Sequence, residues 1–141
     1  MLINRSMPPG IIIPELAYAD VSVAAEWLCR AFGFRERLRI GDHRVQLVFE
    51  GASIVVTQSH DAQKTTNHAH AVMVHVHDVD GHYARSVECG AKIVAAPADH
   101  PYGERQYTAE DIGGHRWIFS QSIADVDPAD WGGNLLSSSQ G

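Results

Sequence analysis

The sequence predicts an α+β fold made of two βαβββ modules, each of which forms a four-stranded mixed sheet. The order of one strand, one helix and three strands occurs twice along the 141 residues. Residues also recur at fixed shifts, since Asp20-Val21 returns 58 positions later as Asp78-Val79. Thr57-Gln58-Ser59 returns 63 positions later as Ser120-Gln121-Ser122. Because one module cannot bury both faces of a strongly curved sheet, the repeat predicts that the two modules pack together.

Hydrophobic spacing predicts the elements of the first module. One helical stripe of apolar residues runs through Val21–Phe32, with Asp20 or Ser22 as its N-cap and Gly33 as its stop. Short apolar or alternating runs between glycine turns predict its strands. These strands are expected at residues 11–18, 34–40, 44–50 and 53–58.

The same order predicts the second module, which follows a polar stretch without periodicity. Its helix is expected at residues 79–89, before Gly90, and its strands at 71–76, 92–96, 105–110 and 116–120. The chain is expected to form one domain overall. Its parts are an N-terminal extension at 1–10, the first module at 11–58, a linker at 59–69, the second module at 70–124 and a C-terminal tail at 125–141.

Composition and charge exclude several classes of protein. Hydrophobic residues make up 45% and charged residues 20% of the chain, as in ordinary globular domains. The net charge of −6 argues against a nucleic-acid partner, because phosphate binding needs a basic surface. No apolar run reaches the roughly 18 residues of a membrane span, and the first residues do not resemble a signal peptide. Cys29 and Cys89 predict two reduced core thiols, so the chain is expected in the cytoplasm.

Five segments carry a resemblance to a known family. They are residues 14–20 (PELAYAD), 27–34 (WLCRAFGF), 76–80 (VHDVD), 102–105 (YGER) and 111–117 (DIGGHRW). On these segments the chain resembles the vicinal oxygen chelate superfamily, and within it the glyoxalase/bleomycin-resistance branch. The resemblance implies curved sheets around a ligand-binding cup, which is the glyoxalase/bleomycin-resistance/dioxygenase fold. It also implies a homodimer, since related proteins are mostly dimers.

Enzymes of this superfamily hold a divalent metal in the cup with His or Glu at four equivalent strand positions. Counting from the aspartates that follow the strands, and applying the repeat shift, places those positions at Ile13, Val55, Ala71 and Ile118. None of these side chains can donate a lone pair to a metal. The resemblance therefore implies a cup without the usual metal site, and no metal or other cofactor is expected.

Four histidines lie close together at the start of the second module: His68, His70, His75 and His77. His75 and His77 share one face of a strand and could chelate a metal, and a one-residue slip would bring His70 to the Ala71 position. Alternatively, they are strand-end or interface histidines that titrate near neutral pH. The second interpretation is preferred because no carboxylate at a fixed spacing completes a known metal triad.

Strand alternation from the four metal positions predicts which side chains face the cup. An apolar floor with a polar rim is expected, which suits an organic ligand with a few polar groups. The candidate ligand-binding residues are Glu15, Thr57, Met73, His75, Arg105, Tyr107 and Arg116. Arg105 and Tyr107 belong to this set only if Glu110 opposes His115 across the last hairpin.

Other roles stay open for several side chains. Glu15 and Arg116 could pair with each other rather than with a ligand, and Met73 could serve in packing alone. Trp27 is expected in the core or at an interface. Trp117 alternates away from the cup and is expected beneath a helix.

Two hypotheses of different class follow. The first is a protein that binds a small organic molecule in a metal-free cup, and the acidic balance favours a cationic ligand. The second is a lyase, isomerase or dioxygenase of the same superfamily, with displaced metal ligands or with His75 and Glu15 as a proton-transfer pair. No catalytic residue is assigned. The linker could let the cup form within one chain or between two, and the apolar tail residues Trp131, Leu135 and Leu136 favour a homodimer.

Overall fold

The computed structural model describes residues 2–59 and 70–136 of the chain. The first module contains β1 (Glu15–Tyr18), α1 (Val21–Phe32), β2 (Arg35–Ile40), β3 (Arg44–Phe49) and β4 (Ala52–Gln58). The second contains β5 (Val72–His75), α2 (Val79–Glu88), β6 (Lys92–His100), β7 (Glu104–Glu110) and β8 (Arg116–Ser122). A 3₁₀ turn over Pro128–Trp131 follows in the tail. Residues 60–69 of the predicted linker, and with them His68, lie outside the described residues.

The two sheets have the same topology, which confirms the predicted pair of βαβββ modules. Their strand orders are β1-β4-β3-β2 and β5-β8-β7-β6. In each sheet the first strand pairs in parallel with the last, and the other neighbours are antiparallel. The fold is therefore the predicted α+β arrangement, with two separate mixed sheets.

The helices begin at equivalent aspartates. Asp20 caps α1 by accepting a hydrogen bond from the Val23 amide at 3.0 Å, and Asp78 caps α2 through the Gly81 amide at 3.1 Å. Gly33 ends α1 in the left-handed region, with φ of 87°, which a residue with a side chain rarely adopts. Within the described ranges, no helix is both long and apolar enough to cross a membrane.

Two strands differ in length from the prediction by four residues each, and a proline lies at the point of difference in each case. β1 begins only at Glu15, because Pro14 has no amide hydrogen to donate to the ladder. β6 continues through Pro97 to His100, because shifts in register between Ile93 and Ala98 keep the proline out of the regular pairing.

The core lies between the helices and the sheets and crosses from one module to the other. The Phe32 ring of α1 lies 5.3 Å from Trp117 and 4.8 Å from Phe119, measured between ring centroids. Trp117 is fully buried beneath this helix, as its alternation predicts. Trp27 is also buried, and its indole Nε1 donates to the carbonyl of Cys89 in the other module at 2.9 Å. Packing of this kind couples the stability of the two modules.

A buried carboxylate, Asp111, joins the modules at the end of β1. Its Oδ2 accepts hydrogen bonds from the Tyr18 hydroxyl at 2.5 Å and from Trp117 Nε1 at 2.9 Å. Its Oδ1 accepts from the backbone amides of Gly113 and His115, at 2.9 and 3.0 Å. Burial, followed by the nearby Asp111 charge, raises the pKa of Tyr18 well above its ordinary value, so the phenol keeps the proton that it donates. Four donors thus compensate the desolvation of this carboxylate.

Candidate functional site

In each module one face of the sheet packs against the helices, and we call the opposite face the cup face. Trp117 and Phe119 are buried on the helix side of β8, so Ile118 lies on the cup face. Val56 in β4 likewise belongs to the helix-side core, which places Val55 on the cup face of the first module.

The cup face of the first module is covered by the N-terminal segment, residues 2–14. Gln46 Nε2 donates to the carbonyl of Ser6 at 2.8 Å, and Arg37 Nη2 donates to the carbonyl of Arg5 at 2.9 Å. Pro8 is buried in this contact. The cup-face side chains beneath the segment are buried as well: Gln46, Val48, Ser53 and Val55. This face therefore offers little room for a ligand in the arrangement described here.

The cup face of the second module is open and forms a groove. A recess of about 630 Å³ is lined by Met73, His75, Tyr102, Glu104, Gln106, Ser120 and Trp131. A neighbouring recess of about 440 Å³ shares Met73 and His75 and extends to the seam with the first module, along Phe49 and Phe34. Met73 is 60% exposed on the floor between the two recesses. We call these joined recesses the groove.

A hydrogen-bonded polar row runs along the groove. Ser120 Oγ donates to Glu104 Oε1 at 2.5 Å and accepts from Gln106 Nε2 at 3.0 Å. His75 Nε2 lies 3.1 Å from Ser122 Oγ and 4.0 Å from Glu104 Oε1. Burial raises the pKa of Glu104, but the hydrogen bonds from Ser120 and Ser122 and the adjacent His75 outweigh it, so the pKa lies below its ordinary value. Glu104 is therefore ionised at neutral pH.

Aromatic rings form one wall of the groove. The Tyr102 ring stacks on His100 at 5.2 Å and lies 5.2 Å from Trp131, which comes from the C-terminal tail. The Tyr102 hydroxyl donates to Gln106 Oε1 at 3.0 Å, which links this wall to the polar row. Because Trp131 is 46% exposed, an indole face is available to a ligand.

The structure separates the predicted candidates from one another. Met73 and His75 line the groove, as described. Glu15 and Thr57 belong to the first module, where Glu15 pairs with Arg44 at 3.0 Å instead of with Arg116. Thr57 is the register partner of Arg44. Arg116 is half-buried on the cup face of the second module, opposite Glu110 in the register.

The predicted cup-facing placement of Arg105 and Tyr107 is wrong. Glu110 pairs with Arg116 and not with His115, which moves β7 by one residue from the expected register. A slip of one residue turns every side chain of a strand to the opposite face. Both residues consequently lie on the helix side of the sheet.

Their contacts on that side are structural. The Tyr107 hydroxyl lies in the core, 2.5 Å from Nδ1 of His82, and burial raises its pKa. Arg105 forms ion pairs with Asp80 at 3.1 Å and with Asp99 at 3.0 Å. Neither side chain reaches the groove.

The four predicted metal positions carry no donor side chains, and the register brings only a single carboxylate, Glu15, beside Val55. Val55 is buried under the N-terminal segment, and Ile118 is the register partner of Met73. Ile13 and Ala71 lie just before the first strand of each module. Within residues 2–59 and 70–136, no three His, Cys, Asp or Glu side chains are grouped so that they could hold a metal ion. The described side chains therefore do not fit the divalent metal that enzymes of the resembled superfamily hold.

Sequence reasoning missed Glu104, Gln106, Tyr102 and Trp131. For Glu104 and Gln106, the alternation of apolar residues in the last hairpin could have indicated which face they occupy. Tyr107 and Ala109 alternate in β7 as Trp117 and Phe119 do in β8, and matching these two apolar sets turns Glu104 and Gln106 towards the groove. Tyr102 lies in a loop and Trp131 in the tail, where no periodicity indicates direction.

Paired βαβββ modules of this topology define the glyoxalase/bleomycin-resistance/dioxygenase class of fold. The chain belongs to the Glyoxalase/Bleomycin resistance protein/Dioxygenase superfamily, whose family model matches residues 10–119. No curated protein was found to match the sequence.

Solved structures agree with this membership. TioX from Micromonospora sp. ML1 is 36% identical, with a TM-score of 0.67 over 84% of this chain and 100% of that chain. A glyoxalase/bleomycin resistance protein/dioxygenase from Nocardioides is 18% identical, with a TM-score of 0.70 over 92% of this chain and 91% of that one. The fosfomycin resistance protein FosX from Listeria monocytogenes is 15% identical, with a TM-score of 0.67 over 82% of this chain and 95% of that one. At such low identity the last two support the fold alone.

Proposed function

We propose that this protein binds a small organic molecule in the groove of its second module without using a metal ion. The observation that carries the proposal is the lining of the groove, where Met73 and the Trp131 indole lie beside the polar row of Glu104 and Gln106. Such a mixture of apolar surface and a few fixed polar groups is typical of sites for organic ligands. Among the described residues, no three His, Cys, Asp or Glu side chains are grouped so that they could hold a metal ion, which favours binding without one.

Titration with Nile red, a neutral dye whose emission rises in apolar surroundings, tests this proposal. We expect saturable binding at one site per chain, unchanged by a chelator. Met73→Ala and Trp131→Ala should each weaken binding by about tenfold, the equivalent of 1.4 kcal/mol. Val87→Ala is the matched control, because Val87 is an exposed apolar residue on α2, away from the groove.

Two results would contradict the proposal. One is the absence of saturable binding in a folded sample. The other is near-stoichiometric zinc, nickel, iron or manganese in protein purified without added metal, since a metal would then be part of the site.

An acid–base enzyme of the same superfamily is the second candidate, and one contact favours it. His75 Nε2 lies 4.0 Å from Glu104 Oε1, whereas Glu15, the partner expected from the sequence, pairs with Arg44. Turnover would therefore use His75 and Glu104 as the proton-transfer pair. Chemical conversion of a bound organic ligand at a pH-dependent rate, lost in both His75→Gln and Glu104→Gln, would establish this function instead of binding alone.

We also propose that the protein is a homodimer. Apolar side chains are exposed at both ends of the chain, including Ile11 and Ile12 in the N-terminal segment and Leu135 and Leu136 in the tail. A second copy would remove them from water, and twofold dimers are the commonest assembly. Analytical ultracentrifugation should give about twice the chain mass of 15.4 kDa at micromolar concentration. A species at the chain mass would contradict the dimer but not the ligand groove.

A further inference from the structure

The groove has a one-sided charge pattern. It continues past His75 to a recess that contains Glu50, and past Tyr102 to one that contains Asp125. Together with Glu104, three carboxylates thus line the connected recesses. None of the described residues that line them is a lysine or an arginine. The basic side chains in this lining are His75, near Glu104, and His77, whose Nε2 lies 3.6 Å from Glu50 Oε2. Wherever these two histidines are neutral, the charged groups of the groove are all carboxylates and attract a positively charged ligand.

Glu104 is the carboxylate best placed to bind a cation. Its side chain is only 21% exposed, and the hydrogen bond from Ser120 fixes its orientation. A carboxylate has about four acceptor positions, so Glu104 keeps capacity for a ligand N–H beyond its bonds to serine hydroxyls. Partial burial strengthens such a charged bond relative to one made at an open surface.

The aromatic wall complements this carboxylate. Tyr102 contacts Trp131, and both line the same recess as Glu104. A flat, positively charged ring would stack on the indole through dispersion and cation–π attraction while its nitrogen approached the carboxylate.

We propose that the groove selects organic cations with a flat aromatic ring system, holding the cationic nitrogen at Glu104 and the ring against Trp131. This inference rests on the proposed binding function and specifies its ligand class. It predicts discrimination between molecules of the same shape and opposite charge, which an uncharged pocket would not provide.

Two acridines of similar size provide the test at pH 7.5: 9-aminoacridine, a cation, and acridine-9-carboxylate, an anion. We expect the cation to bind at least about tenfold more tightly, a difference of about 1.4 kcal/mol. Glu104→Gln should abolish most of that preference. Trp131→Ala should lower the affinity for 9-aminoacridine relative to the parent chain.

The control is Glu88→Gln, which changes the net charge of the chain by the same amount. Glu88 is exposed at the end of α2 and does not line the groove. Thermal unfolding of each variant shows whether it is folded. Equal losses of cation affinity in Glu104→Gln and Glu88→Gln would attribute the preference to the overall charge and overturn the inference.

The outcomes separate the two proposals. Binding of Nile red together with equal affinity for both acridines would leave the binding function standing and refute the charge selection. If none of the three probes binds to the folded protein, the binding function itself is wrong.

Discussion

The two modules share a topology but differ in what covers their cup faces. In the first, the N-terminal segment lies across Val55 and bonds to Gln46, whereas in the second the equivalent surface around Ile118 and Met73 is open. A segment outside the repeat therefore determines which of two topologically equivalent sheet faces is accessible.

Asp111→Ala should have the largest effect, because it removes a buried group that accepts hydrogen bonds from both modules. The buried donors of Tyr18 and Trp117 would lose their acceptor, at a cost of about 3–5 kcal/mol. Urea unfolding, monitored by circular dichroism, measures the loss in the free energy of unfolding. Asp42→Ala, in an exposed turn, is the control. A loss below about 1 kcal/mol would mean that the modules do not depend on this carboxylate.

Removal of residues 2–10 should expose the first cup face. The chain would lose the hydrogen bonds of Gln46 and Arg37 and the cover over apolar side chains, a destabilisation of about 2–3 kcal/mol. Nile red should then bind at a second site.

The control for this deletion is the double variant Arg5→Ala, Ser6→Ala. The hydrogen bonds from Arg37 and Gln46 go to the backbone carbonyls of residues 5 and 6, not to their side chains. The variant should therefore keep the stability and the single dye site of the parent. An unchanged stoichiometry after deletion would show that the first cup face cannot act as a site even when uncovered.

The fold was predictable because it follows from the spacing of residues within each helix and strand. The site was difficult to predict because it depends on the strand register and on long-range contacts. The spacing in α1 and the recurring Asp20 and Asp78 depend on neighbours within a few residues, and the structure follows them closely. The side of the sheet on which Tyr107 lies depends on the hairpin register, where one residue reverses the outcome. Trp131 reaches the groove from the tail, through a long-range contact with Tyr102 that no local pattern encodes.

The N-caps provide a matched pair of smaller effects, one in each module. Asp20→Ala and Asp78→Ala each remove one side-chain acceptor from a helix amide, so each should cost about 1 kcal/mol. Ser22→Ala, at the alternative cap in the sequence, removes only an exposed contact with Arg39 and should cost less than about 0.5 kcal/mol. Unequal costs for the two aspartates would show that one module contributes more than the other to global stability.

The smallest expected effect is a pH dependence that arises from the second module. His82 of α2 donates from Nε2 to the carbonyl of Phe32 at 3.0 Å, and its Nδ1 accepts the hydroxyl of Tyr107. The equivalent position in α1, 58 residues earlier, is Ala24, which cannot titrate. Burial lowers the pKa of His82, and the Arg85 charge lowers it further against the opposing effect of the Phe32 bond.

Because the folded-state pKa of His82 lies below the unfolded value near 6.5, the unfolded chain binds more protons in the interval between them. The stabilisation is therefore complete above about pH 6.5 and declines as the pH falls towards the folded-state value. Urea unfolding from pH 7.5 to 5 should show a smaller decline for His82→Gln than for the parent chain, while His43→Gln, in an exposed turn, should retain the parent's decline. Parallel curves for His82→Gln and the parent would assign the acid sensitivity to other histidines and remove this difference between the modules.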